Sequence, residues 1–419
     1  MRITIIGGGV IGLTTAYALI NQGHSVELFE QETAVGLATS FANGGQLSYR
    51  YVSPLADAGV PLQALAWMFK KDAPLRFSPK LSLSQWQWCA RFLWACRQGV
   101  NQRNAAHLLR LALYSQTVLH DWQTQGIGDF SWRANGKLVV YRNARHFQHA
   151  ANTISQPELQ QALNVNECVA VEPALKHLAS QLSGGIFSPG DEVGDCQLFC
   201  QRLLAALQQS ARFTLHRQHK VTDLHQEHGK VRSFSLKDDQ GLMQSHAVEQ
   251  LVIAAGMGSV SLLKKLRIKV PLYPLKGYSL TLPVADLSTV PDTNVTDYDR
   301  KIVYARLNNQ LRVAAMVDIA GPKASPSLDT QRITRLRQFA QASFPNAGNF
   351  QHATPWAGLR PATPQGTPII GATALDNLWL NLGHGSLGFT LACGSAQALA
   401  HLINQQTSPI ALTGLQGQF

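Results

Sequence analysis

The sequence predicts an α/β protein in which a Rossmann-like dinucleotide-binding domain is interleaved with an α+β domain built on an antiparallel sheet. Three observations support this fold. The chain opens with an apolar strand, a glycine cluster and a helix pattern. Strand–glycine units recur near residues 250 and 380. Strand patterns of alternating polarity, typical of an antiparallel sheet, lie between these units at 276–317.

The composition is that of a globular protein long enough for two joined domains: 419 residues, 45% hydrophobic and 15% charged. The net charge of +11 favours an acidic partner, yet the basic residues are spread without a run of five, so no nucleic acid is expected. Six cysteines show neither CxxC pairs nor zinc-like spacing, so we expect free thiols and no metal site.

The apolar stretch at residues 3–20 imitates a signal peptide or a short membrane span. Its glycines would weaken a membrane helix, and no small-x-small cleavage site with a polar start after it is evident. We therefore expect this stretch to belong to the fold. We expect neither a targeting segment nor a transmembrane helix elsewhere.

The first motif fits a dinucleotide-binding turn. Arg2–Ile6 has the pattern of a buried parallel strand, and Gly7–Gly12 matches G-x-G-x-x-G directly after it. Gly7 permits the tight turn, Gly9 lets the backbone approach a pyrophosphate, and Gly12 allows the helix to pack on the strand. This fingerprint predicts a dinucleotide but does not decide between NAD and FAD.

A helix and a second strand complete the motif. The helix pattern runs to about residue 22, which places Val10 and Ile11 at its N-terminal end, where free N–H groups attract phosphates. Ser25–Phe29 is the next strand. Glu30 closes that strand at about the spacing of an acid that binds a ribose hydroxyl.

Three distant segments favour a long cofactor. Thr39–Gln46 is a polar, glycine-rich stretch that either lays N–H groups along the cofactor or is an ordinary surface loop. Gln250–Ala255 is a buried strand before Gly256, and Leu378–Leu382 is followed by a glycine loop and a helix. The candidate cofactor contacts in these segments, with Val221 added, are Ser40, Asn43, Gly44, Gly45, Gln46, Gly256, Gly383, Gly385, Leu387, Gly388 and Thr390.

Four motifs resemble the small subunit of bacterial D-amino acid dehydrogenase: Pro274–Thr281, Gly358–Pro368, Asn381–Thr390 and Asp191–Phe199. The resemblance covers nearly the whole chain and extends to D-amino acid oxidase, glycine oxidase and sarcosine oxidase. It implies FAD, which we expect to be noncovalent, and oxidative deamination of D-amino acids to 2-oxo acids and ammonia by hydride transfer from Cα to flavin N5. It also implies a quinone-type membrane acceptor and a peripheral position on the cytoplasmic face of the inner membrane, or a cytoplasmic one.

Arg360 is the candidate anchor for the substrate, because a planar guanidinium pairs bidentately with a carboxylate. The resemblance implies the same role for the arginine of this Gly-Leu-Arg-Pro motif. Tyr278 and Tyr304 are candidates for a second contact, with packing as the alternative for each. His384 is either a general base or, more in keeping with its flanking glycines, a flavin contact.

The expected domains are discontinuous. Residues 1–50, 160–260 and 351–419 form the FAD-binding domain, and residues 51–159 and 261–350 form the substrate domain. Within the latter, residues 67–94 hold four of the eight tryptophans among lysines and arginines. That mixture suits either a surface that dips into anionic lipid headgroups or a helical cap on the substrate domain.

Three alternatives to a D-amino acid dehydrogenase stay open. An oxidase or dehydrogenase for glycine, sarcosine or a hydroxyproline would use the same anchor. A tRNA-associated FAD protein would account for the charge of +11. A flavin-binding subunit without its own turnover would bind FAD that no amine reduces.

Overall fold

The computed structural model describes residues 1–52, 54–56, 59, 73–154, 156–319 and 321–417. Their α-helices are α1 (Val10–Asn21), α2 (Leu83–Ala95), α3 (Gln98–Thr124), α4 (Ala144–Asn152), α5 (Val165–Val171), α6 (Cys196–Leu207), α7 (Gly258–Lys265), α8 (Thr330–Ser343) and α9 (Gly388–Ile403). Short 3-10 helices lie at Pro173–Gln181, Leu287–Thr289, Phe350–His352 and Gly385–Leu387.

The strands of the described residues form two large sheets and two small ones. In chain order they are β1 (Arg2–Ile6), β2 (Ser25–Phe29), β3 (Gln46–Leu47), β4 (Leu75–Phe77), β5 (Lys137–Tyr141), β6 (Gln161–Leu163), β7 (Gly184–Ser188), β8 (Glu192–Val193), β9 (Phe213–His216), β10 (Lys220–Glu227), β11 (Lys230–Lys237), β12 (Met243–Ala247), β13 (Gln250–Ile253), β14 (Tyr273–Pro283), β15 (Asn294–Asp297), β16 (Ile302–Leu307), β17 (Gln310–Ile319), β18 (Thr354–Ala362), β19 (Ile369–Ala372) and β20 (Leu378–Leu382).

The six-stranded sheet, with the order β19-β20-β13-β1-β2-β9, is the nucleotide-binding half of the fold. Its strands run parallel except at the β19 edge. Ile3 and Ile5 of β1 are fully buried, as expected for a parallel strand with both faces covered. Helices α1 and α9 pack together in the adjoining core. The predicted Rossmann-like domain is confirmed.

The nine-stranded sheet runs β18-β14-β17-β16-β15-β5-β7-β6, with β4 added beside β17. Most of its pairs are antiparallel, which confirms the predicted sheet. One face is buried against α8 through residues such as Leu280, Val313 and Leu336. The other face meets the loop after β2, where the Ser279 hydroxyl donates a hydrogen bond of 2.7 Å to the Ala42 carbonyl. The two halves of the fold therefore meet at this loop.

The sheets divide the chain differently from the predicted domain boundaries at three strands. β6 and β7 follow residue 160 and β18 follows residue 351, yet all three belong to the nine-stranded sheet. β7 pairs with β5 over five residues, and β18 pairs with β14 over nine. The residue pattern of a strand does not show which sheet it joins, because its pairing partners lie far away in the sequence. The domain division stays a proposal.

One helix of the described residues, Gly385–Ile403, is long and apolar enough to cross a membrane by length and composition alone. About two thirds of its most apolar window is buried, at 67%. It packs against α1 and α3 in the core of the nucleotide-binding half. Its apolar character is therefore that of a core helix.

Candidate active site

The glycines of the first turn have different tasks. Gly7 has a φ of +110°, and a Cβ there would lie 2.6 Å from the Ala254 carbonyl oxygen. A Cβ on Gly12 would overlap the carbonyl oxygen of Gly7. A Cβ on Gly9 would instead meet only the Ser40 hydroxyl, at 3.5 Å. The protein itself therefore requires glycine at 7 and 12, whereas Gly9 borders open space on the side where we expect the pyrophosphate.

The N-terminus of α1 carries donors that can hold that pyrophosphate. The Val10 N–H donates to the Ser40 hydroxyl at 3.1 Å, and the N-cap residue Gly9 has no side chain to cap the helix. The next N–H groups, including that of Ile11, have no partner within the helix, as in every first turn. Ser40, a predicted contact, thus lies where the phosphates would bind.

Glu30 lies beside this turn, as the predicted ribose contact should. Its carboxylate accepts the N–H of Gly8 at 2.6 Å and that of Glu32 at 2.9 Å. Burial raises the pKa of Glu30, although these hydrogen bonds oppose the rise. Val221 packs on the core cluster that contains Phe29 of β2. The predicted ribose side of the site is therefore partly shielded from solvent.

Gly256 follows β13, the strand beside β1. Its φ is +52°, and a Cβ there would meet nothing within 4 Å. Gly256 therefore adds a second position next to the turn at which the backbone is open to a ligand.

The predicted loop contacts lie between the two large sheets. Asn43 accepts a hydrogen bond from Arg312 through its carbonyl at 2.8 Å and from the Gly45 N–H through its side chain at 3.0 Å. A Cβ on Gly44 would lie 3.4 Å from Val303, and Gly45 has a φ of +67°. The loop therefore lies flat on the sheet face that Arg312 and Val303 share.

Gln46 connects this loop to a buried lysine that the sequence analysis did not single out. The Lys137 ammonium donates to the Gln46 side-chain oxygen and to the Ser48 hydroxyl, both at 2.9 Å, and lies 4.5 Å from the centre of the Tyr51 ring. Burial lowers the pKa of Lys137 to about 8, and Asp191 opposes this change. A lone lysine in an apolar strand pattern gives no sequence signal of this kind.

The C-terminal glycine loop packs directly against β18. Gly383 and Gly385 have φ values of +84° and +57°, and His384 between them forms a bridge with Ala362. The buried His384 ring contacts the Ser395 hydroxyl through Nε2 at 3.1 Å, while Nδ1 has no hydrogen-bond partner among the described residues. Burial lowers the pKa of His384 to about 3, so the imidazole is neutral near pH 7.

The residues after this loop start α9. The Leu387 N–H donates to the His384 carbonyl at 3.0 Å, and Gly388 is the first residue of the helix. The Thr390 hydroxyl accepts the Ser48 N–H at 3.2 Å, which joins the helix to β3. The N-terminus of α9 and the 39–48 loop therefore lie together, as a shared cofactor site requires.

These features fit a long dinucleotide. Space beside Gly9, open backbone at Gly256 and the unpartnered Nδ1 of His384 are positions that a bound cofactor would fill. The residues that would hold it come from β1, α1, the 39–48 loop and the loop before α9.

Arg360 is a half-buried arginine of β18 whose guanidinium lies against Gly277, in the space that a Cβ would occupy. Its Nη1 donates to the Met316 carbonyl at 3.2 Å. Burial lowers the pKa of Arg360 to about 10, while Asp318 acts to raise it. Within the described ranges, no carboxylate lies within 4.0 Å of the guanidinium. The charge is therefore available to an anionic ligand.

The structure does not bring Tyr278 and Tyr304 to Arg360. Both are buried in the core on the α8 side of the nine-stranded sheet. The Tyr278 hydroxyl donates to Asp318 at 2.7 Å and the Tyr304 hydroxyl to Ser343 at 2.9 Å. Successive residues of a strand point to opposite faces, so these tyrosines face away from the side that carries Gly277 and Arg360. Packing, the alternative for both residues, is what the geometry favours.

Comparisons with known proteins identify the family to which this chain belongs. The DAO family of FAD dependent oxidoreductases matches residues 2–402. D-amino acid dehydrogenase 2 of Pseudomonas aeruginosa is 50% identical over 415 residues, which cover 99% of this chain and 97% of the relative. A protein of the same name from Ralstonia nicotianae is 41% identical, with 98% of each chain covered. The solved iminodiacetate oxidase of Chelativorans has a similar fold, with a TM-score of 0.72 at 19% identity over 100% of this chain and 99% of the other. The chain belongs to the DAO family of FAD dependent oxidoreductases, with FAD as its cofactor, and within that family to the group of relatives named D-amino acid dehydrogenase.

Proposed function

We propose that this protein oxidises D-amino acids at Cα to 2-oxo acids and ammonia. The proposal rests on the half-buried guanidinium of Arg360, which has no carboxylate partner among the described residues. This guanidinium lies on the face of the nine-stranded sheet that meets the loop after β2. The names of the relatives from Pseudomonas aeruginosa and Ralstonia nicotianae support the choice of D-amino acids.

Bound FAD supplies the two-electron acceptor for the hydride that leaves Cα. Arg360 binds the substrate carboxylate through two parallel N–H donors and so fixes the position of Cα. The partial burial of Arg360 strengthens this charge pair, because less water competes with it. The imino acid left by hydride loss is hydrolysed by water to the 2-oxo acid and ammonia.

His384 has a binding role in this proposal and no proton-transfer role. Its pKa of about 3 keeps the imidazole neutral, and its buried Nδ1, which has no hydrogen-bond partner among the described residues, is the nitrogen that we assign to the cofactor. The amine proton leaves to solvent before oxidation. We also propose that FAD is held noncovalently, since Cys393 is buried inside α9 and burial raises the pKa of its thiol.

The outer face of α2 supports contact with an anionic membrane, and hence a quinone-type acceptor. Trp86, Leu93 and Trp94 are each about half exposed, beside the exposed Arg91. The sequence has no Asp or Glu from residue 73 to residue 120 and has six lysines and arginines there. The inner face of α2 forms a cap: Trp88 donates to the Ala362 carbonyl at 3.1 Å. Trp67 and the lysines at 70 and 71 lie outside the described residues.

A substrate panel tests the proposed activity. Paired D- and L-amino acids, glycine, sarcosine and hydroxyproline are each supplied with an artificial electron acceptor and, separately, with oxygen alone. We expect turnover of D-amino acids with the artificial acceptor and little turnover with oxygen. Preference for glycine or sarcosine with fast oxygen use would favour the oxidase alternative. A salt-dependent shift of tRNA, without amine turnover, would favour the nucleic-acid alternative.

A further inference from the structure

Strand β17, which is separated from the strand of Arg360 by β14, contains a β-bulge. On β14, Lys276 and Tyr278 are two residues apart, but their partners on β17, Asp318 and Ala315, are three apart. One extra residue is therefore inserted in β17, and Met316 in that insertion has a φ of +66°. Left-handed backbone is uncommon for a residue with a side chain and persists only where its surroundings hold it.

The bulge provides a hydrogen-bond acceptor for the Arg360 side chain. The Met316 carbonyl is the hydrogen-bond acceptor for Arg360 Nη1, at 3.2 Å. Gly277, opposite the bulge on β14, leaves the space in which the guanidinium lies. The position of the Arg360 guanidinium therefore depends on the backbone conformation of β17 at Met316.

Asp318, two residues after Met316, is the buried centre of a charged cluster. Its Oδ1 accepts Nε and Nη2 of Arg332 at 3.1 and 2.6 Å. Its Oδ2 accepts Nη2 of Arg76 at 2.5 Å and the Tyr278 hydroxyl at 2.7 Å. Asp318 thus ties the end of the bulge to α8, to β4 and to the facing strand β14.

The Tyr278–Asp318 hydrogen bond spans the change of register. Tyr278 is paired through its backbone with Ala315 on one side of the bulge, and its hydroxyl holds Asp318 on the other side. Tyr278 therefore holds both Ala315 and Asp318, the residues on either side of the bulge. Met316 lies between the two fixed points.

We propose that Asp318 and Tyr278 are positioning residues for the carboxylate anchor: together they hold the Met316 bulge and thereby set the place of the Arg360 guanidinium. The proposal rests on the role of Arg360 in the proposed function. It assigns Tyr278 an effect on substrate binding from the opposite face of the sheet, without contact with the substrate.

The test measures the binding of propanoate, a carboxylate without an amine, to the FAD-loaded protein through the change in flavin absorbance. Tyr278→Phe removes only the hydroxyl, and Asp318→Asn removes the charge. Ser343→Ala is the matched control, because it removes a side-chain hydrogen bond of the same core, from Tyr304, without touching Asp318. Arg360→Ala reports whether the anchor itself is assigned correctly.

We expect Tyr278→Phe to weaken propanoate binding about tenfold, in line with the loss of a hydrogen bond to a charged group. Asp318→Asn should weaken it about ten- to a hundredfold, the scale expected for a misplaced binding group. The KM for D-amino acids should rise in both variants more than kcat falls. FAD content should match the parent, and Ser343→Ala should bind propanoate within about twofold of the parent.

Parent-like binding by Tyr278→Phe, with binding lost in Arg360→Ala, would overturn the positioning role and leave the proposed function intact. Parent-like binding by Arg360→Ala would overturn the anchor itself. An equal loss in Ser343→Ala and Tyr278→Phe would mean general loosening of the core and would also overturn the positioning role. If Asp318→Asn does not fold, Tyr278→Phe decides the question.

Discussion

The guanidinium of Arg360 lies against the backbone of Gly277, in the space that a Cβ would fill. The two residues belong to the neighbouring strands β18 and β14, where Gly277 is paired with Gly358 and Arg360 with Leu275. Two glycines therefore face each other at the point where the arginine side chain crosses from one strand to the next. This relationship makes Gly277 a direct test of the anchor.

Gly277→Ala should displace the guanidinium, because the overlap is with the far end of a flexible side chain and not with backbone. We expect kcat/KM for D-amino acids to fall about tenfold or more, the scale expected for a misplaced binding group, while the melting temperature changes by a few degrees at most. Gly99→Ala is the control, since a Cβ there meets nothing within 4 Å. An unchanged kcat/KM in Gly277→Ala would contradict the location of the anchor.

Gly9 and Gly12 should respond differently to substitution. Gly9→Val places its side chain beside Ser40, in the space expected for the pyrophosphate, so FAD should be lost while the apo protein stays folded. Gly12→Ala forces a Cβ onto the Gly7 carbonyl, so the apo protein itself should be destabilised. Flavin content and thermal unfolding without FAD separate the two outcomes. Retention of FAD by Gly9→Val would contradict the cofactor position.

The nucleotide-binding half was predictable because its signal is local. The spacing from Gly7 to Gly12 and the helix pattern after it predicted α1, which the structure places at Val10–Asn21. The orientation of Tyr278 and Tyr304 could not be predicted from a local pattern. Alternation predicts a strand around Tyr278, but which face meets the cofactor depends on partners far away in sequence and on the bulge at Met316. Lys137 was missed for the same reason, since its burial arises from contacts with the 46–51 segment.

The free energy of unfolding at acidic pH should depend on His384. Its folded-state pKa of about 3 lies below the ordinary value of 6.5 because burial disfavours the charged ring. The unfolded state therefore binds more protons between these values. The stabilising contribution of neutral His384 is complete above about pH 6.5 and declines as the pH falls towards 3, by at most about 1.4 kcal/mol per pH unit.

His384→Gln should flatten this part of the profile, because glutamine does not titrate. Urea unfolding of the apo protein at several pH values between 4 and 8 measures the effect. His228→Gln, at a mostly exposed histidine, is the control for the exchange of a histidine for a glutamine. The same slope in His384→Gln and the parent would contradict a neutral, buried imidazole.

Membrane contact should depend on the outer face of α2. We expect Trp94→Ala combined with Arg91→Glu to reduce binding to vesicles of anionic phospholipid about tenfold or more, because both apolar insertion and charge attraction are lost. Turnover with a soluble acceptor should be unchanged. Leu242→Ala with Met243→Ala removes exposed apolar residues elsewhere and should bind like the parent. Equal vesicle binding by all three proteins would contradict membrane contact through α2 and would favour its role as a cap on the substrate domain.

Anaerobic reduction of the bound flavin measures directly whether Arg360 anchors an amino acid for oxidation by FAD. D- and L-forms of one amino acid, and the corresponding amine without a carboxylate, are mixed with the parent, Arg360→Lys and Arg360→Ala. Loss of a charge-assisted contact with a partly buried partner costs about 3–5 kcal/mol, so Arg360→Ala should lower the second-order rate of reduction by a D-amino acid about a hundred- to several-thousandfold. Arg360→Lys should recover part of it, since it keeps the charge without the planar fork.

We expect fast bleaching of the parent by the D-form, slow bleaching by the L-form and by the amine, and no effect of the substitutions on the reaction with the amine. Equally fast reduction of Arg360→Ala and the parent by the D-amino acid, at equal FAD content, would contradict the role of Arg360 as the carboxylate anchor.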